Sequence, residues 1–196
     1  MGRRFDALHP LIVDASRGHL PDWAVISPQR FDHSERVARL MRSWAKTRGL
    51  RKSDLARWSA AGYLHDALKG VSPTKLRKRY DFDEGLPDPL LHGPACAQRL
   101  EREGVEDDAL IRAVAHHTTG HPGLDLLGAS LYMADYLDPG RRSGRSRRKA
   151  LRARLPGEHG AVLAIVAAAK IGTLLERRLH IQRSTLEFWN EVVAAG

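Results

Sequence analysis

The chain has 196 residues, 42% hydrophobic and 28% charged, long enough to bury a sizeable core as one domain, or one domain with extensions. No apolar run reads as long enough to cross a bilayer, no secretion signal opens the chain, and the lone Cys96 excludes an internal disulfide and fits a reducing cytoplasm. The net charge of +9 favours anionic partners: nucleotides, nucleic acid or acidic lipid.

Strand signals are almost absent and helical periodicity with small residues dominates, so the expectation is an all-α bundle of roughly eight helices. Residues 1–26, a short helix and a loop, form an N-terminal extension to a domain spanning 27–196. Ser27-Pro28 reads as an N-cap with proline at the first helical position, opening a helix that stops at Gly49. Ser53 or Asp54 caps a second helix ending near Gly70, and Ser72-Pro73 opens a short basic one. A loop, DFDEGLPDP, leads to a helix from about Pro89 to Glu103, and Asp107 or Asp108 caps the next, through His117. After the turn TTGHPGLD, a helix from about Asp125 to Leu137 stops at Asp138-Pro139. The stretch RRSGRSRRKALRAR, Arg141 to Arg154, carries eight cations and reads either as a solvated loop and helix face or as an electrostatic funnel beside a phosphate site. A long Ala-rich helix, about Glu158 to His180, and a short one around Leu186–Ala194 complete the chain.

Ionisable side chains intrude on the apolar faces of these helices. His33 shares a stripe with Val37, Leu40, Met41 and Trp44, and His65 follows Trp58 and Ala61 at helical spacing. His117 lines up with Leu110 and Val114, while its neighbour His116 is rotated away. Asp135 lines up with Leu124, Leu127 and Leu131, and His92 opens an inward face with Cys96 and Leu100. A single such histidine is ordinarily a core residue bonded to backbone, but a buried unpaired carboxylate costs several kcal/mol. One shared metal site satisfies all of these groups together, and imidazole with carboxylate suits Fe, Mn, Co or Zn without a thiolate. His65 and Asp66 then diverge from adjacent positions to spread around one ion, or let Asp66 bridge two. Cys96, Trp44, Trp58 and Trp189 read as core, and Trp23 as surface or a partner contact.

The ordered set His33, His65-Asp66, His92, His117, Asp135 resembles the six-ligand, two-metal form of the HD-domain phosphohydrolases. RFDHSERV at 30–37, LHDALKG at 64–70, LLHGPACA at 90–97, HTTGHPGL at 117–124 and YMADYLDPGR at 132–141 narrow the resemblance to the YqeK-type HD domain, the symmetrical bis(5'-nucleosyl)-tetraphosphatases, over about residues 28–190. The resemblance implies that His33, His65, Asp66 and Asp135 hold one metal and that Asp66, His92 and His117 hold the other, with Asp66 bridging. It implies iron, with manganese, cobalt or zinc as alternatives, and cleavage of diadenosine tetraphosphate to two ADP by a metal-bridging hydroxide. Asp66 and Lys69 become the catalytic residues. Arg30, His33, Lys69, Thr118, Thr119 and Arg141 become the substrate contacts, with Lys69 and Arg141 offsetting phosphoryl charge.

Two departures stand out. Gly128 and Ala129 occupy the place of the family's usual acidic-Lys pair, and Ile181-Gln182-Arg183-Ser184-Thr185 replaces a hydrophobic-His-Pro-x-Thr segment. No metal ligand is lost, so hydrolysis is expected to survive while base recognition or substrate preference can differ. The alternatives are an HD phosphohydrolase acting on another nucleotide, such as a dNTP or an alarmone, and a basic helical nucleic-acid binder using Arg141–Arg154. A cyclic-dinucleotide enzyme would carry a GYP-type motif, which the sequence lacks. A homodimer is left open, and no membrane partner is expected.

Overall fold

The computed structural model describes residues 8–195, in which all regular elements are helical and no strand occurs. Ten α-helices and one 3-10 turn follow in order: α1 Pro10–Ala15, α2 Pro28–Thr47, α3 Lys52–Leu64, α4 Pro73–Arg79, the 3-10 turn Asp88–Leu90, α5 His92–Arg102, α6 Asp108–His116, α7 Leu126–Tyr136, α8 Arg145–Ala153, α9 His159–Glu176 and α10 Arg183–Ala194. The count exceeds the expected eight because α1 and α8 form within segments read as an extension and as a basic stretch.

α3 is the central helix and packs against α1, α2, α6 and α7. Every residue from Trp58 to Leu64 is buried. Its partner α2 starts as the sequence predicts, with the Ser27 hydroxyl accepting the Arg30 N–H at 3.3 Å and Pro28 in the first turn. The α2 stripe Val37, Met41, Trp44 faces α3 in one continuous core. Gly62 permits this close approach, because a Cβ there would sit 2.4 Å from the Ala38 Cα.

The second helix ends at Leu64, earlier than expected. His65 N–H makes the last helical bond, to Ala61 at 3.1 Å, and residues 65–70 leave the helix as turns. Two backbone bonds pull them away: Val25 N–H to the Ala67 carbonyl and Gly70 N–H to the Val25 carbonyl, both 2.7 Å. The helix therefore stops where its polar doublet begins.

Residues 8–26 contribute directly to the core. Ile12 and Ala15 are 1% and 0% exposed, and the Ser59 hydroxyl donates to the Ser16 carbonyl at 2.9 Å. Residues 8–26 of the expected extension thus pack on the helices that follow. Residues 1–7 of that segment lie outside the described residues.

Asp107 caps α6 through the Leu110 N–H at 3.1 Å and takes two bonds from Arg57, at 2.5 and 2.7 Å, which ties α6 to α3. Asp125 caps α7 through the Gly128 N–H at 2.9 Å. Part of the basic stretch has a structural use: from α8, Arg148 Nε donates to the Tyr136 carbonyl at 2.8 Å and Arg152 to the Leu137 carbonyl at 2.5 Å. Both cations sit at the C-terminus of α7, where orphan carbonyls and the helix dipole favour positive charge.

α9 modifies the expectation about bilayer-spanning segments. Its 18 residues, at a hydropathy of 1.4, are long and apolar enough by length and composition alone. Here α9 packs on α7 and α10, with Val162, Leu163, Val166 and Ala167 buried, and its run is broken by Lys170. It ends at Glu176 rather than near His180, and α10 starts earlier than predicted, at Arg183. Trp44, Trp58 and Cys96 are buried as expected, and Trp23 is half-buried under the Arg99 guanidinium.

His159, at the start of α9, lies 3.1 Å from the buried Ser130 hydroxyl. Burial, reinforced by the Arg48 charge, lowers its pKa to about 4. Between that value and the ordinary 6.5 the unfolded chain binds the proton and the folded one does not, so stability falls as pH falls through this window. His159→Gln is expected to lose less thermal stability than the parent chain between pH 6.5 and 4; identical pH slopes would contradict this.

Candidate metal centre

Helix ends deliver the polar side chains. His33 lies in the second turn of α2, His65 and Asp66 follow the last residue of α3, His92 opens α5, His117 ends α6, and Asp135 is next to last in α7. His33, His65, Asp66, His92 and His117 are at most 6% exposed, and the Asp135 side chain is 15% exposed.

These six residues converge as expected. Asp66 presents its two oxygens to different histidine pairs. Oδ1 lies 3.1 Å from His92 Nε2 and 3.7 Å from His117 Nε2, while Oδ2 lies 3.5 Å from His65 Nε2 and 3.9 Å from His33 Nε2. Asp135 Oδ1 lies 3.2 Å from His33 Nε2. His33, His65 and Asp66 form one group compact enough to hold a metal ion, and Asp66, His92 and His117 form a second that shares the same carboxylate.

The outer nitrogens explain why these rings hold their orientation. His65 Nδ1 donates to the Gly62 carbonyl at 2.8 Å and His117 Nδ1 to the Val114 carbonyl at 2.8 Å, while His92 Nδ1 lies 3.1 Å from the Pro89 carbonyl. A carbonyl only accepts, so in the His65 and His117 rings the proton resides on Nδ1 and the Nε2 lone pair points inward. His33 Nδ1 meets Asp138 Oδ2 at 2.8 Å. The inward nitrogens then face each other, His33 to His65 at 3.3 Å and His92 to His117 at 3.1 Å. Where both nitrogens of such a pair carry lone pairs, they repel unless a cation sits against both. The donor set therefore fits divalent metal, and its outer hydrogen bonds have the pattern that orients metal-binding histidines.

The electrostatics agree. Burial pushes the Asp66 carboxyl up, but the His65, His117 and His92 rings gathered around it outweigh this and hold Asp66 well below the usual carboxylate range. Burial lowers His92, and lowers His117 to about 4 against the pull of Asp66, so both stay neutral and able to donate an electron pair. Burial also opposes ionisation of Asp135, but the His33 hydrogen bond and the charges of Lys170 and Arg141 hold its carboxyl low.

Four expected substrate contacts border the cluster. Arg30 donates to Asp66 Oδ2 at 2.9 Å, and Arg141 to Asp135 Oδ1 at 2.6 Å, both from partly exposed side chains. Lys69 Nζ is 3.1 Å from His92 Nδ1. It arrives there through a turn rather than along a helix, its N–H bonding the Asp66 carbonyl at 2.9 Å. The Thr118 hydroxyl is 3.0 Å from His117 Nε2, and Thr119 is half-buried in the same turn.

The sequence reading misses two participants. Asp138, read only as a helix stop, holds His33 and also takes Arg36 Nε at 2.7 Å and the Gly140 N–H at 2.9 Å. Lys170 donates to the His117 carbonyl at 3.2 Å, with its ammonium 3.8 Å from the Tyr132 ring centre. An acidic residue before proline is a weak signal for the first, and a single lysine in an Ala-rich helix offers none for the second.

Residues 30–140, more than half of the chain and including all six converging residues, match the HD domain. The chain belongs to the HD domain family. This HD protein is 32% identical over 120 residues to the symmetrical bis(5'-nucleosyl)-tetraphosphatase of Staphylococcus aureus, covering 58% of this chain and 60% of that protein. It is 27% identical over 175 residues to the protein of the same name from Halalkalibacterium halodurans, covering 86% and 91%. A third relative of that name, from Bacillus subtilis, is 34% identical over 97 residues, covering 45% and 52%. The alignments thus span 60% and 52% of two of these relatives and most of the other. The fold is shared with the crystal structure of an HD superfamily hydrolase from Clostridium acetobutylicum, described as involved in NAD metabolism, with a TM-score of 0.75, 23% identity and coverage of 94% of this chain and 96% of that one.

In this HD domain Asp138 holds the His33 ring in place through their 2.8 Å contact. Asp138→Asn replaces an acceptor oxygen facing His33 or Arg36 with a donor nitrogen. It is expected to weaken divalent-metal retention by ~10–100-fold, the usual cost of removing such a partner. Metal per chain after dialysis against graded chelator checks this; retention equal to the parent would remove Asp138 from the centre.

Proposed function

We propose that this HD domain is a metallophosphohydrolase that cleaves diadenosine tetraphosphate at its central P–O–P link, consuming one water and releasing two ADP. The observation that carries the reading is Asp66, one carboxylate with each oxygen turned to a different histidine pair. That arrangement suits two ions, one held by His33, His65, Asp66 and Asp135 and the other by Asp66, His92 and His117. Iron is the proposed metal; imidazole and carboxylate donors suit it, as they suit manganese, cobalt or zinc. Cys96 is no competitor, since its thiol donates to the Leu64 carbonyl at 3.2 Å and burial pushes its pKa far above the ordinary thiol range. Divalent metal bound there supplies Lewis-acid charge and lowers the pKa of a water toward neutrality.

The chain's own side chains do the rest. Arg30 and Arg141 are bonded to Asp66 and Asp135 at the exposed rim and are free to turn toward phosphoryl oxygens. Lys69 adds a third cation beside His92, and the Thr118 hydroxyl a neutral donor. Fixed positive groups of this kind stabilise charge spread over transferring phosphoryl oxygens and a diphosphate leaving group. The names of the three relatives support the substrate. A cytoplasmic setting suits the unpaired, buried thiol.

The test is product analysis. Protein purified without chelator under low oxygen is incubated with diadenosine tetraphosphate, and ADP, AMP and ATP are separated. ADP alone is the expected result. ATP with AMP would keep the hydrolase and reject the central cleavage. No turnover by metal-loaded protein would favour another nucleotide, in keeping with Gly128 and Ala129, which bring no polar side chain to α7.

A further inference from the structure

A second cleft, lined by none of the six converging residues, lies between α2 and α8. It is about 760 Å³, within the range that encloses small organic ligands. One wall is α8, which turns Arg145, Lys149 and Arg152 into it at i, i+4 and i+7. The opposite wall is α2, with Leu40 offering apolar surface and Ser43 a hydroxyl, beside the buried Trp44. Pro139 lines it too, directly after the residue that holds His33.

The two walls differ in chemistry. The stretch from Arg141 to Arg154 contains no acidic residue. The only ion pairs it makes are Arg141 with Asp135 and Arg154 with Glu158, among the described residues. Arg152 spends one nitrogen on the Leu137 carbonyl, while Arg145 and Lys149 are exposed and meet no carboxylate among the described residues. Three like charges gathered along one wall repel each other, and an anion between them relieves that repulsion. An apolar wall facing such cations matches a ligand with a charged end and a flat apolar body.

We propose that this cleft is a second, non-catalytic binding site for a nucleoside phosphate, with its phosphates on Arg145, Lys149 and Arg152 and its base against Leu40. A cleft of limited extent with an apolar wall favours a small nucleotide over a nucleic-acid strand, which needs an extended track. Arg142 and Arg147, which do not line the cleft, are available to solvent instead.

The experiment is equilibrium dialysis of the metal-loaded protein against radiolabelled ADP, with two variants built from opposite walls. Arg145→Glu/Lys149→Glu reverses the exposed charges, and Ser43→Trp fills the cleft without changing charge. Each is expected to weaken one class of ADP site by about tenfold or more, as loss of charged hydrogen bonds implies. Metal content and turnover are expected to stay at the parent level, which separates this site from the catalytic reading. ADP binding unchanged in both variants would overturn the proposal. Loss in the charge reversal alone would reduce the effect to diffuse electrostatics and overturn it as well. Binding of a single-stranded oligonucleotide that is lost in both variants while ADP binding persists would reassign the surface to nucleic acid.

Discussion

Asp66→Ala is expected to abolish metal retention and phosphohydrolase activity together. Asp66 is 3% exposed and approaches all four histidines, with His92 at 3.1 Å and His33, the farthest, at 3.9 Å. Removing it leaves two groups of imidazoles with no anion between them. A pair of divalent ions there would repel each other without a shared carboxylate, so both are expected to leave or bind far more weakly. Lewis-acid stabilisation of phosphoryl transfer is worth several kcal/mol, so turnover is expected to fall by about 10³-fold or more. Elemental analysis and a turnover assay on the same preparation, with circular dichroism to verify the helical fold, check this. A metal-loaded, active Asp66→Ala protein would sink the assignment.

Gly62→Ala is expected to produce the largest loss of stability from a single added methyl group. The new Cβ would lie 2.4 Å from the Ala38 Cα and 2.6 Å from its N, both backbone atoms of α2 that no rotamer change can move aside. Relief requires α2 and α3 to separate. Overpacking of a close core contact costs ~1–3 kcal/mol and more where backbone must shift, so a loss of about 3 kcal/mol is expected. For a domain of this size that is roughly a 6–12 °C fall in Tm. The same displacement parts His33 on α2 from His65 after α3, whose Nε2 atoms stand 3.3 Å apart, so metal affinity is expected to fall with stability. Gly172→Ala is the control: nothing lies within 4 Å of the added carbon, and in a helix interior alanine is favoured over glycine. Thermal melts of the two proteins decide the matter, and equal Tm values would mean that the α2–α3 contact tolerates the methyl group.

Much of this architecture is legible in local chemistry. Ser27-Pro28, Asp107 and Asp125 mark helix starts because a short oxygen-bearing side chain can satisfy the first free N–H groups of a helix, and all three do so here. The inward course of His33, His65, His92, His117 and Asp135 is legible for a similar reason: helical periodicity assigns each to an apolar stripe, and carboxylates with imidazoles do not share such stripes without a compensating charge. The end of α3 was not legible, because the bonds that stop it come from Val25, some forty residues upstream. Nor was the use of the basic stretch, since Arg148 and Arg152 act on carbonyls at the end of a different helix.

The limits follow from the range of the forces involved. Residue order and periodicity are enough to settle the helical class, the caps at Ser27, Asp107 and Asp125 and the inward faces of the polar side chains, since these depend on neighbours within a turn or two. α3 instead starts at Lys52 without the side-chain cap expected from Ser53 or Asp54, and Ser72 makes no cap bond. Packing alone decides which ring nitrogen points inward, through Gly62, Pro89, Val114 and Asp138, and which oxygen of Asp66 meets which histidine pair. It also decides that Asp138 serves a histidine 105 residues away and that α8 turns three cations toward an apolar wall of α2. Those outcomes rest on hydrogen bonds and contacts between distant segments, whose partners exist only once the helices have packed.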